Sequence, residues 1–103
     1  MAHQGFARQK VRNGKLLTVR VSFSEKIDGV EITGDFFVYP DEGLALVEKS
    51  VRGMDADTHR KEMSAVIATA IEKSGITLIG IDPDSIAETI RMAMQNGVAS
   101  YRT

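Results

Sequence analysis

Gly34-Asp35-Phe36-Phe37-Val38-Tyr39-Pro40 continues an alternation that begins at Val30. Val30, Ile32, Gly34, Phe36 and Val38 fall on one face of an extended chain, and Glu31, Thr33, Asp35, Phe37 and Tyr39 fall on the other, which is the two-residue period of a strand. The spacing predicts one central strand from Val30 to Tyr39. Its first face is a core face; its second carries Asp35 beside two aromatic residues that a small monomer has little reason to expose. Gly34 weakens a strand and points to a second backbone or a helix approaching closely there. Pro40 ends the strand, since it has no N–H for a ladder and suits the first turn of a helix.

Upstream, Phe6 to Arg12 is polar with sparse apolar residues, as expected of an edge strand, and Asn13-Gly14 has the chemistry of a two-residue hairpin turn. Leu17, Val19, Val21 and Phe23 alternate with Thr18, Arg20, Ser22 and Ser24, the cleanest half-buried strand in the chain. A polar connection, Glu25 to Gly29, returns the chain antiparallel. Matching apolar faces sets Val21 opposite Ile32 and Val19 opposite Gly34, which leaves Arg20 diagonal to Glu31 and Asp35. Asp35 then has two readings: a cross-strand ion-pair partner worth about 0.2–1 kcal/mol, or a functional carboxylate.

After Pro40 the periodicity becomes helical. Asp41 and Glu42 suit the positive end of a helix dipole, Leu44, Val47 and Val51 recur at helical spacing, and Gly53 is a stop. Asp57 is the expected cap of a second helix with its stripe at Met63, Val66, Ile67, Ala70 and Ile71, ending at Gly75. Ile76 to Ile81 reads as a short strand or an extended connection. Asp82-Pro83 opens a third helix that buries Ile86, Ile90, Ala93 and Met94 before Gly97. Strands come first and helices after, so the fold class is α+β: a three-stranded antiparallel sheet covered on one face by about three helices. The chain reads as a single domain over 1–103, with 1–5 and 98–103 loose.

With 103 residues there is room for one domain and one modest core. There is no cysteine, which excludes a disulfide framework, a thiol nucleophile and a thiolate metal site. His3 and His59 lie far apart without a ligand partner at useful spacing, so no metal site is expected. No apolar run approaches the ~20 residues of a membrane span and the N-terminus lacks a signal-peptide core; the default compartment is the cytoplasm. The formal net charge is −1, which argues against a nucleic-acid binder. Charge is nevertheless uneven, because Arg8, Lys10, Arg12, Lys15 and Arg20 all precede the first acid, Glu25. That segment is either solvated strand surface or a patch that faces a phosphate or an acidic partner. No nucleophile elbow, P-loop or dinucleotide fingerprint is present, and from the residues alone the chain is a small α+β binding module.

The series Lys10-Val11-Arg12-Asn13-Gly14-Lys15-Leu16, followed by Val30 through Pro40-Asp41-Glu42, resembles the accessory domain of lipoate–protein ligases. In that family the domain is either the C-terminal part of one chain or the separate small subunit of a two-component enzyme, and this chain looks like the latter. The similarity runs from about Lys10 to the third helix. Asn13 stands where the family commonly has glycine; asparagine tolerates the same backbone conformation. Relatives on a similar fold serve iron–sulfur assembly, but their cysteine chemistry cannot apply here. The resemblance implies a non-catalytic subunit, inactive alone, that supports ATP-dependent conversion of lipoate to lipoyl-adenylate and so the lipoylation of acceptor domains. ATP, Mg2+ and lipoate would belong to the large catalytic subunit, with this chain as its partner in a heterodimer. Lys10, Lys15, Asp35, Phe37 and Tyr39 are the candidate partner-binding residues, and Lys15 is the candidate to stabilise phosphate charge. Two other readings remain open: a small nucleic-acid-binding module, and a homo-oligomeric interaction module built on the same aromatic face.

Overall fold

Alternating sequence in the first third of the chain builds three long antiparallel strands in the computed structural model, which describes residues 2–11, 15–96 and 98–99. They are β1 (His3–Lys10), β2 (Leu16–Phe23) and β3 (Ile27–Gly34), with β2 in the middle. Ala7, Leu17, Val19, Val21, Ile27 and Ile32 are buried on the face that meets the helices. The α+β class and the antiparallel three-stranded sheet are as expected. The expected turn at Asn13-Gly14 lies outside the described residues, although Val11 N–H donates to Lys15 O at 2.8 Å just beyond the paired strands.

Several expectations are corrected. Residues 3–5 are not loose but open β1, and Val98–Ala99 form a short strand, β6, that pairs with His3 and Gln4. β1 is therefore covered at its start. Residues 25–29 are not all connection: β3 begins at Ile27, where burying this residue against the core is worth a bulge between Ser22 and Phe23. That earlier start moves the register by two, so Val19 faces Ile32, Val21 faces Val30 and Arg20 faces Glu31 directly. Most consequentially, the strand expected from Val30 to Tyr39 breaks. β3 ends at Gly34, and Phe37–Tyr39 form β4 in a separate two-stranded ribbon with β5 (Thr77–Ile79).

The helices follow their punctuation. α1 (Gly43–Val51) buries Val47 and Val51, with Asp41 and Glu42 just ahead of its N-terminus. Gly43 is needed there because a Cβ would lie 2.9 Å from Val38 Cγ1 and 3.0 Å from Ile76 Cγ2. α2 (Arg60–Ser74) is capped by His59, not Asp57: His59 Nδ1 accepts the Lys61 N–H at 3.2 Å. Met63 and Ile67 are its fully buried residues, and Gly75 ends it at φ 65°. α3 (Pro83–Gln95) starts as expected, with Asp82 accepting the Ser85 N–H at 2.7 Å. Its buried face holds Ile86, Ala87, Ile90 and Ala93 together with Thr89, whose hydroxyl donates to Ser85 O and accepts from Gln9 Nε2. α3 lies over β1 and β2, α1 lies against β3, and α2 spans the two helices. Glu48 of α1 also blocks the outer edge of the sheet, where its Oε2 accepts the Ile32 N–H at 2.8 Å. Among the described residues, the opposite face of the sheet carries no helix. No helix among the described residues is long and apolar enough to cross a membrane.

Candidate functional site

The break after Gly34 brings three distant segments to one corner. Asp35 still belongs partly to the main sheet: its N–H donates to Leu16 O at 3.3 Å, and its Oδ1 accepts the Leu16 N–H at 2.6 Å. Asp35 thus engages both backbone polar groups of the first residue of β2, its carboxylate taking the N–H and its own backbone N–H the carbonyl. Arg20 does not reach it; that guanidinium faces Glu31, with Nε 4.0 Å from Oε1. The ion-pair reading of Asp35 is replaced by a backbone clamp.

Gly34 is hemmed in as expected, since a Cβ there would strike Leu16 O and the Phe36 ring. Phe36 turns inward and packs at the edge of the core. The third segment is the end of β5, where Gly80 adopts φ 97°, a conformation that an L side chain strains to reach. The Lys15 stem lies over it: a Cβ on Gly80 would be 3.0 Å from Lys15 Cγ, 3.6 Å from Lys15 Cδ and 3.5 Å from Phe36 Cβ. Lys15 therefore has its aliphatic stem packed while the residue as a whole is exposed.

The ribbon springs from this corner. Phe37 pairs with Ile79, Val38 with Leu78 and Tyr39 with Thr77. Val38 and Leu78 turn toward the core, whereas Phe37, Tyr39 and Ile79 face out with 54%, 63% and 57% of their surface exposed. Parity placed Phe37 and Tyr39 on the outer face even though the strand that carries them was misassigned. Ile79 and Gly80 were missed, because a run of apolar residues from Ile76 to Ile81 shows neither a partner strand nor a backbone angle. Lys10 sits exposed at the end of β1, paired with Leu16, so the same end of the sheet carries it too. The structure thus gathers Lys15 and Asp35 at the corner, Phe37 and Tyr39 on the adjoining ribbon, and Lys10 on the neighbouring strand end.

No protein-family model and no curated protein sequence matches this chain. A solved structure does match: a chain of an archaeal lipoylation system, a bi-partite lipoate protein ligase and its E2 lipoyl domain from Thermoplasma acidophilum. The superposition has a TM-score of 0.72 and 21% identity, and covers 88% of this chain and 98% of that one. This chain shares the fold of that chain. The two segments that carry the sequence resemblance, Lys10–Leu16 and Val30–Glu42, are also the segments that meet at the corner, through the Leu16–Asp35 hydrogen bonds.

Proposed function

We propose that this chain is the non-catalytic small subunit of a two-component lipoate–protein ligase, acting in the cytoplasm as a heterodimer with the large catalytic subunit. The observation that supports it most is the fold shared with a component of a bipartite lipoate protein ligase system along nearly all of both chains. In this reading the large subunit holds ATP, Mg2+ and lipoate, and makes lipoyl-adenylate for transfer to a lipoyl-acceptor domain. This chain completes the adenylation site. The outward row of Phe37, Tyr39 and Ile79 supplies the apolar anchors of an interface, the residue types that dominate binding when they fill pockets. Docking there carries Lys15 to the reacting phosphates, where charge grows on the α-phosphate and leaving pyrophosphate as the anhydride forms. The backbone of Gly80 lies beneath the stem of that lysine, so less side-chain entropy is left to lose on assembly.

Lipoate-dependent pyrophosphate release by a cognate large subunit, measured with and without this chain, tests the reading. Release should depend on this chain, and neither protein should form the adenylate efficiently alone. Transfer from pre-made lipoyl-adenylate to an acceptor domain should proceed without it. Full adenylation by the large subunit alone would refute the proposal.

A further inference from the structure

The sheet face turned away from the helices has a composition unlike ordinary solvated surface. Gly5 faces α3, where a Cβ would strike Ala93 O, so its neighbours Gln4 and Phe6, and with them Arg8 and Lys10, point to the open side. Cross-strand pairing sets Phe6, Arg20 and Glu31 in one row, and Arg8, Thr18 and Thr33 in the next. Phe6 is 42% exposed, with the Arg20 Cζ 5.5 Å and the Arg8 Cζ 5.7 Å from its ring centroid. Beside this row lies a groove of about 510 Å³ whose floor is Gly5, Val21 and Val30, and whose rims carry Phe6, Arg20 and Glu31 on one side and Gln4 and Ser22 on the other. Among the described residues, Arg8 and Lys10 have no carboxylate partner, and Arg20 meets only Glu31 at the outer limit of an ion pair.

We propose that this open face, centred on Phe6, Arg8 and Arg20, is a second docking surface, which takes an extended acidic segment of a partner protein. Charge complementarity selects the occupant. Arg8, Lys10 and Arg20 outnumber the two carboxylates of the same cross-strand rows, Glu31 and Asp35, the latter already engaged by the Leu16 N–H, and each guanidinium presents a fork that binds a carboxylate through two parallel hydrogen bonds. An exposed aromatic ring flanked by arginines is the composition that protein interfaces concentrate at their centres. Single-stranded nucleic acid fits less well. Its bases need a free aromatic face for stacking, and here the single exposed ring of the groove already attracts two cations. The surface lies on the long sheet and not on the β4–β5 ribbon, so a large subunit bound at Phe37 and Tyr39 could leave it accessible. This inference does not depend on the ligase reading, and it is tested on this chain alone.

The 15N-labelled chain is titrated with a ten-residue synthetic peptide of alternating glutamate and leucine, and in parallel with its glutamine counterpart and with a ten-nucleotide oligothymidylate. Saturable binding of the glutamate peptide is expected, with amide shifts gathered at residues 4–10, 18–22 and 29–33. Arg8→Gln and Arg20→Gln should each weaken that binding by about tenfold, and Phe6→Ala by a similar factor. All three residues are exposed, and retained dispersion of the remaining amides would confirm that the variants fold. Absent or non-saturating binding overturns the proposal. So do equal affinity for the glutamine peptide, shifts centred on Phe37, Tyr39 and Ile79, or tighter binding of oligothymidylate to the same residues. Loss of the ligase reading would leave these titrations unchanged, so the two failures are distinguishable.

Discussion

The stem of Lys15 lies across the backbone of Gly80, so close that a Cβ on the glycine would stand 3.0 Å from Lys15 Cγ. Gly80 also has φ 97°, where a side chain is strained whatever the space around it. Gly80→Ala therefore meets two penalties together, and the isolated chain should lose about 1–2 kcal/mol. The loss would be read as a lower urea midpoint at unchanged slope. In the proposed complex with a large catalytic subunit the same substitution should also slow adenylation, because it displaces the lysine. An unaltered midpoint would show that the end of β5 relaxes freely and holds nothing in place.

Asp35 gives a complementary test at the other side of the corner. Its hydrogen bond from the Leu16 N–H is short, at 2.6 Å, but exposed, so Asp35→Ala should cost only about 1 kcal/mol. Asp35→Asn keeps a carbonyl oxygen as acceptor and should cost less. Urea midpoints give both numbers, and amide exchange at Leu16 shows whether the loss is local. A large effect of Arg20→Gln on the same exchange would revive the ion pair that the register denies.

Most of the architecture was legible because it rests on local periodicity and end signals. Asp82-Pro83 named the start of α3, Gly75 the end of α2, and Leu17, Val19 and Val21 the buried face of β2. Partner choice is different. The alternation from Val30 to Tyr39 persists across the break at Gly34, with Ile32, Phe36 and Val38 inward and Phe37 and Tyr39 outward. A period of two records which face a residue takes, not which strand lies beside it. The move to β5 is decided by contacts more than forty residues along the chain, at Ile79. For the same reason the site was read as five separate residues, and the glycine that seats Lys15 was not read at all.

Phe37 and Ile79 are direct cross-strand partners, both more than half exposed. Single alanine substitutions should weaken association with the large subunit by about 1–2 kcal/mol or more each. In the isolated chain each should cost only a few tenths, and their coupling in a double-mutant cycle should fall within about 0.2–1 kcal/mol. Calorimetric titration against the large subunit separates the two effects. Wild-type affinity in Phe37→Ala, Tyr39→Ala and Ile79→Ala would move the interface off the ribbon.

Lys26 provides a control remote from the corner. Its pKa is raised above 10.5 in the folded chain, first by the 2.7 Å hydrogen bond to Asp55 and then by the charge of that carboxylate. A raised pKa contributes stability that is complete below the unfolded value and disappears as pH rises through the folded one. The pair is solvent-exposed and its effect is small. Urea midpoints taken on either side of pH 10.5 should fall less steeply in Asp55→Asn than in the parent chain. Identical alkaline slopes would show that the pair does not persist in solution.

Lys15 carries the chemical part of the proposal. It stands immediately before β2, with its carbonyl accepting the Val11 N–H at 2.8 Å and its stem packed over Gly80. Its backbone and the first carbons of its side chain are thus fixed, while its ammonium forms no ion pair among the described residues. A held stem with an unpaired charge is what a point-charge stabiliser needs, since reorganisation during the reaction is then small. An ordinary surface lysine would give a different result, because replacing one changes stability and rate by little. Lys15→Ala should slow adenylation roughly 10²-fold, the scale on which removal of one transition-state donor acts. Association of the two subunits should persist, and the alanine variant should bind the large subunit through its unaltered ribbon. Lys15→Arg, which keeps the charge but not the point geometry, should recover only part of the rate. Pyrophosphate release at saturating partner decides the matter. A rate within about twofold of the parent complex would return Lys15 to the solvated surface and pass the phosphate role to Lys10, the next cation on the same end of the sheet.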